Sequence, residues 1–308
     1  MPSVSESSNG VTHHFTVDVE ESFHASALES FVDRADWETL PSRVEGAVRQ
    51  LVDLLAEHRT RATFFVLGWL AERRPQMVRD LAAQGHEIAS HGLDHKRVTQ
   101  MGAEEFRLSV RDSKRQLEDV SGQAVLGYRA PSFSIVRGGE WALDVLVEEG
   151  YVYDSSLYPV RRPGYGFAGG HRDPHLIQTA AGPLHEFPPT TLRAGPAILP
   201  VGGGAYFRHL PFGFVGSGLE AAQRRGAPGT FYIHPWELDR DQPHIDVPFL
   251  TRMRHYGHID RTVPRLRRLL SRFRFQPIAA TLERGGPAAD SVGLSAAPSV
   301  GSGKAARN

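Results

Sequence analysis

The chain has 308 residues, of which 40% are apolar, with 35 basic and 35 acidic side chains and no cysteine. Zero net charge argues against a broad electrostatic footprint for nucleic acid or an anionic membrane and leaves only a local basic patch open. Without cysteine there are no disulfides and no thiolate ligands, so imidazole and carboxylate must do any metal work; a reducing compartment fits.

Residues 1–12 are serine-rich and lack the basic-then-apolar pattern of a secretory signal, and no stretch is long enough to span a bilayer. These features predict a cytoplasmic protein with no integral membrane segment. A flexible N-terminus over 1–12 should precede a single domain over 13–283, since one α/β domain of this size is common. The tail, 284–308, is glycine, alanine, serine and proline with few large apolar side chains. Such a segment cannot repay its ordering entropy and should be disordered.

Taken in order, His14–Val19 reads as a strand and Ser42–His58 as a helix, with a Ser42/Glu45 capping box and a stripe of Val44, Ala47, Val48, Leu51 and Leu55. Ala62–Leu67 is a short apolar run that suggests a strand buried on both faces. A helix from Pro75 to Gly85, a strand His86–Ala89, a helix Glu104–Val120 stopped by Gly122 and a strand Val125–Arg129 follow. A helix Glu140–Glu149 then leads into the strand Tyr151–Asp154. Alternation of this kind means parallel βαβ units. Residues 158–204 break into a Pro- and Gly-rich elaborated loop region with apolar runs at Leu184–Phe187 and Ala197–Val201. Regularity returns with a helix Leu219–Arg225, a strand Thr230–His234, a basic helix Val263–Phe273 and a strand Phe275–Ala280.

Asp18 and Glu20, two apart on a strand, share a face; His91 and His95, four apart, would share a face of a helical turn. One carboxylate with two histidines is the ligand set of a hydrolytic zinc site with an open water position. Asp18, Glu20, His91, Arg129, Asp154 and His234 all fall at C-terminal strand ends, the face that carries the chemistry in a parallel barrel. Each has a blander role available. Glu21 should be solvated, Arg129 could form a structural ion pair beside Pro131, and Arg265–Arg268 should be the solvated face of a helix. His13, His14 and the group His244, His255 and His258 offer a second metal site only weakly.

The motifs Thr16-Val-Asp-Val-Glu-Glu-Ser-Phe23, Ala62-Thr-Phe-Phe65, His86-Glu-Ile-Ala-Ser-His91-Gly-Leu-Asp-His95, Gly127-Tyr-Arg-Ala-Pro-Ser-Phe133, Tyr153-Asp-Ser-Ser156, Glu186-Phe-Pro188 and Phe231-Tyr-Ile-His-Pro-Trp236 occur together. In this combination the chain resembles the polysaccharide deacetylases of the NodB-homology class, carbohydrate esterase family 4, over about residues 13–283. More narrowly it is similar to the subgroup associated with bacterial exosortase and exopolysaccharide loci.

The resemblance implies an α/β fold, a distorted (β/α) barrel with about seven parallel strands. It also implies a divalent metal, zinc in first place, held by one acid with His91 and His95, a base acid oriented by Arg129, and His234 as general acid. Most of the family has two adjacent acids, the first as base and the second as ligand; here Val19 stands in the second place. The acid-x-acid members it resembles make Glu20 the ligand and leave Asp18 as base. On a regular strand Val19 would point away and Glu20 inward. The reverse assignment stays open. The implied reaction removes N-acetyl groups from an N-acetylated polysaccharide or a lipid-linked oligosaccharide, with Tyr165, Tyr206 and Trp236 as candidates for stacking on sugar rings. Hydrolysis of a small amide, or glycan binding without catalysis, are the rival readings.

Overall fold

Strand β1 (His13–Val19) is buried along its whole length, yet its residues alternate between two environments. Phe15, Val17 and Val19 enter the main apolar core. His14, Thr16 and Asp18 make polar contacts on the other face. This is the period of two that a pleated strand imposes. The structure, a computed structural model, describes residues 10–162 and 164–286 and the backbone of 291–293.

Beyond β1 the chain forms α1 (Val44–Glu57), β2 (Thr63–Val66), α2 (Gly68–Arg73), α3 (Pro75–Ala83), β3 (Glu87–Ser90), α4 (Ala103–Ser121), β4 (Gly127–Tyr128), α5 (Trp141–Glu148) and β5 (Tyr153–Asp154). Next come β6 (His175–Gln178), β7 (Pro183–Glu186), β8 (Thr191–Ala194), β9 (Ala197–Pro200), α6 (Gly204–His209), α7 (Phe212–Arg224) and β10 (Thr230–Ile233). Last are α8 (Phe249–Tyr256), α9 (Thr262–Arg272), β11 (Phe275–Gln276), α10 (Ala279–Leu282) and β12 (Ser291–Gly293).

The sheet runs β10-β1-β2-β3-β4-β5-β7, seven strands with every neighbour parallel. It curls into a half-barrel whose ends approach at an isolated bridge between Pro189, just past β7, and Thr230. The expected distorted barrel of about seven parallel strands is therefore the observed fold. β6 pairs antiparallel with β7, β12 lies beyond β6, and β11 adds to β1.

Three apolar clusters hold the described residues together, the smallest being Phe133, Tyr158, Val160 and Tyr232. The largest joins the helices to one face of the sheet, and Phe65, Ala89, Tyr153, Phe187 and Ile278 form a smaller one. Each fully buried side chain of this size contributes about 1.5–3 kcal/mol. The α1 stripe Val44, Ala47, Val48, Leu51 and Leu55 is buried as expected, and α4 stops at Gly122 in the left-handed conformation (φ +67°).

Several elements differ from expectation for identifiable reasons. The Ser42/Glu45 capping box does not form: Ser42 Oγ donates to Glu21 Oε1 (2.5 Å) and the Arg43 N–H to Glu21 Oε2 (3.1 Å). Glu21 is thus buried, not solvated, and covers the start of α1. The last expected strand stops at Gln276, because the Ile278 and Ala279 N–H groups donate to Thr63 Oγ1 and Glu87 Oε2 and start α10. The loop region 158–204 contains the β6–β7 hairpin and the β8–β9 ribbon, and its apolar run Leu184–Phe187 supplies β7. Of the tail expected to be disordered, Ser291–Gly293 pair with β6; residues 287–290 and 294–308, like 1–9, lie outside the described residues. Among the described residues no helix is long and apolar enough to cross a membrane.

Removing the borrowed cap should loosen α1. Glu21→Ala is expected to lower stability by about 1–2 kcal/mol, read as a lower urea midpoint. An unchanged midpoint would show that Glu21 does not cap the helix.

Candidate active site

Strands β1, β3, β4 and β10 end at one edge of the sheet, and the residues that follow them converge. Arg129, immediately after β4, has no exposure to water. Its Nη1 donates to Asp18 Oδ1 (2.6 Å) and Thr16 Oγ1 (2.8 Å), its Nη2 to Ser155 Oγ (2.7 Å) and its Nε to the Ser155 carbonyl (3.2 Å). The guanidinium lies 4.1 Å over the ring of Phe65. A buried cation is tolerable only when its donors are used in this way.

Glu20, His91 and His95 form the one group of metal-type side chains among the described residues, their ligand atoms all within 4.8 Å of one another. His91 Nδ1 sits 2.9 Å from the Arg129 carbonyl, which fixes the ring and turns Nε2 to the site. Glu20 Oε1 accepts from Trp236 Nε1 (2.9 Å), and its Oε2 lies 2.7 Å from His95 Nε2. Two imidazoles and a carboxylate at this spacing fit a divalent ion with an open position. Burial holds His91 down at about 4, in the neutral form that ligates. Burial pushes the Glu20 carboxyl up, but His95, His234 and His91 outweigh it and hold it well below the usual carboxylate range.

The two histidines do not share a helical turn. Residues 91–95 are a non-helical loop in which Gly92 takes φ +80° and His95 φ +59°. The left-handed backbone costs a non-glycine residue on the order of 1 kcal/mol, and here it brings the His95 ring onto Glu20. Val19 points into the apolar core while Glu20 joins the mouth, as strand geometry requires. His24 lines the same wall: its ring stacks on His95 at 5.9 Å and is enclosed by Trp37 and Trp69.

His234 enters after β10, with Nε2 3.7 Å from Glu20 Oε1 and 3.9 Å from Asp18 Oδ2. Its Nδ1 meets Glu237 Oε1 at 2.7 Å, and Glu237 Oε2 accepts from Arg208 Nε at 2.6 Å. Both partners are fully buried. Burial opposes charge on His234, but Glu20, Glu237 and Asp18 raise its pKa to about 9. Burial likewise pushes Glu237 up, and Arg208 and His234 bring it down to about 2.

Glu237 and Arg208 escaped the sequence reading. The Glu three residues after His234 was visible in His-Pro-Trp-Glu; Arg208 lies on α6, and nothing local links it to the site. Trp236 is corrected as a sugar platform: its ring is sandwiched between His234 (5.2 Å) and His255 (4.4 Å). Tyr165 and Tyr206 remain half-buried and share a hydroxyl contact of 2.8 Å. Asp154 is not brought to the mouth. It binds the Ser156 hydroxyl and N–H and pairs across the strands with Glu186, where burial and Asp154 push the Glu186 carboxyl well up.

The other histidines do not assemble. His244 stacks on Tyr256, His255 on Trp236 and His258 against His209, while His13 and His14 pack in β1. Nor is the 265–268 run a purely solvated face. Arg265 donates to the carbonyls of Arg208 (2.8 Å) and Leu210 (2.9 Å), and Arg268 lies over Phe212.

Because folding raises the His234 pKa from 6.5 to about 9, its protonation adds stability that is fully present below pH 6.5 and is lost as pH rises through about 9. A charge-assisted hydrogen bond of about 1.5–3 kcal/mol corresponds to ~1–2 pH units. Glu237→Gln should therefore lower the His234 pKa by that amount, measured by NMR titration of the ring in metal-free protein. An unmoved titration would remove Glu237 from this role.

Residues 36–139 match the family described as Polysaccharide deacetylase, a span that holds His91, His95 and Arg129 but not Asp18, Glu20 or His234. Residues 155–283 match a Domain of unknown function (DUF3473). A chitooligosaccharide deacetylase of Sinorhizobium fredii is 38% identical over 32% of this chain and 43% of its own length. A peptidoglycan-N-acetylglucosamine deacetylase of Bacillus cereus is 29% identical over 39% of this chain and 41% of its own. The chain thus spans about two fifths of the length of these relatives. Among solved structures, one from Mycobacterium smegmatis bearing a polysaccharide deacetylase name superposes with a TM-score of 0.61 over 92% of both chains at 19% identity. Another so named, from Pseudomonas aeruginosa, gives 0.56 over 85% and 84% at 19% identity. These two share the fold, and residues 36–139 are similar in sequence to the polysaccharide deacetylase family and to the named relatives.

Proposed function

We propose that the protein is a metal-dependent hydrolase that removes N-acetyl groups from N-acetylhexosamine units of a bacterial exopolysaccharide or its lipid-linked precursor. The observation that carries this reading is the convergence of a two-histidine, one-carboxylate cluster with an Arg129-bound aspartate and a charged histidine, all within one mouth. Similarity to proteins named as chitooligosaccharide and peptidoglycan-N-acetylglucosamine deacetylases supports the substrate class.

Glu20, His91 and His95 would hold the ion, zinc in first place, which when bound lowers the pKa of a water and polarises the acetamide carbonyl. Asp18 is the base. Arg129 grips its Oδ1, which leaves Oδ2 on the His234 side to take a proton from the attacking water. As water adds to the carbonyl carbon and the C–N bond breaks, His234 gives its proton to the departing amine. Acetate and a free amino sugar leave. Glu237 holds His234 protonated and aimed, and Arg208 holds Glu237. Nε2 of His234 and Oδ2 of Asp18 lie 3.9 Å apart, so a substrate would approach both groups from the same open side of the mouth.

His91→Ala should lose both bound metal and acetate release from chitooligosaccharides. Full acetate release by a metal-free His91→Ala protein would contradict the reading. His234→Ala should retain its metal while turnover falls about 10²–10⁴-fold, followed by acetate assay beside metal analysis. An unchanged rate would remove His234 from the acid role.

A further inference from the structure

Helix α8 presents an apolar tip to solvent. Among the described residues, Leu250 (79% exposed) and Phe249 (72%) are the most exposed large apolar side chains, and Met253 one turn on is also exposed. They follow Pro248, which begins the helix, so the apolar pair stands at its leading end. The helix carries no acidic residue; its charges are Arg252 and Arg254, both exposed. Arg252 pairs with the fully exposed Asp246, at 3.2 Å. Exposing apolar side chains to water costs free energy in proportion to the exposed area, and clustered ones rimmed by polar groups mark an interaction face.

The placement of this helix gives the face a meaning. On its buried side His255 stacks on Trp236 (4.4 Å) and meets Gln242 Oε1 (3.0 Å). Trp236 in turn stacks on His234 and donates to Glu20. The Arg254 and Gly257 carbonyls of the same segment accept from Arg208, the residue that holds Glu237. The apolar tip is therefore rigidly tied to the rim of the mouth.

We infer that Phe249, Leu250 and Met253, flanked by Arg252 and Arg254, seat the protein on an anionic phospholipid surface with the mouth beside the headgroups. An apolar tip entering the headgroup boundary while cations meet lipid phosphates is the arrangement of an interfacial helix. The surrounding chain is of mixed charge, which makes this contact local and reversible. What the seat implies for the substrate, a glycan carried on a lipid, rests on the deacetylase reading; the contact itself does not.

Cosedimentation of the full chain with vesicles tests it, using phosphatidylcholine alone and phosphatidylcholine mixed with phosphatidylglycerol. The wild type should bind the mixed vesicles about tenfold more tightly than the neutral ones, with the difference lost in high salt. A Phe249→Ser, Leu250→Ser, Met253→Ser triple variant should bind at least about tenfold more weakly while keeping its metal content and its acetate release from soluble oligomers. Equal binding by the triple variant, or no preference for anionic vesicles in the wild type, would overturn the inference. So would a wild-type dimer that the triple variant converts to monomer with neither form binding vesicles, since the face would then join two copies of the chain. Vesicle binding is read without turnover, so wild type that binds vesicles but releases no acetate sinks the deacetylase reading alone.

Discussion

A guanidinium without access to water organises the mouth of this protein. Arg129 reaches from the end of β4 across the curled sheet to β1 and to the segment after β5, and spends its donors on Asp18, Thr16 and Ser155. Deleting one member of such a buried pair leaves an unpaired charge and typically costs about 3–5 kcal/mol. The strand ends that converge there are therefore bound to one another by the same interaction that aims Asp18. Its own carbonyl fixes the His91 ring, so Asp18 and the metal-type cluster share one anchor.

A second buried ion pair does the corresponding work on the opposite flank. Arg208 and Glu237 sit behind His234 and keep it charged, with the cost of burying them offset by the carbonyls of Arg254 and Gly257. Two flanks of different character result. One is a carboxylate held by a cation that cannot lose its proton, the other an imidazole held by an anion. A carboxylate and a charged imidazole so placed offer a proton acceptor and a proton donor in one cavity. Trp236 couples the flanks, because it stacks on His234 and donates to Glu20.

Much of this was legible along the chain, and the boundary of legibility is physical. Strand parity placed Asp18 and Glu20 on one side and Val19 on the other, because a period of two is local and survives any packing. The parallel sheet followed from strand–helix alternation for the same reason. Where partners come from far away, local patterns misled. Glu21 looked solvated until α1 folded back over it, and Ser42 looked like a cap until that carboxylate, just past the first strand, took its place. His91 and His95 have helical spacing but are delivered by a left-handed turn. Arg208 lies on a short helix after a Pro- and Gly-rich stretch and finds Glu237 only through the tertiary fold.

Glu20 sits with the histidines and Asp18 with the arginine, a division of labour between two acids at the end of β1. Metal content of purified Asp18→Asn, set beside Glu20→Gln and read with acetate release, tests it most directly. The account predicts that Asp18→Asn retains a stoichiometric divalent ion but releases almost no acetate, while Glu20→Gln loses the ion. An Asp18→Asn protein that comes out metal-free, beside a Glu20→Gln protein that keeps its metal, would contradict it.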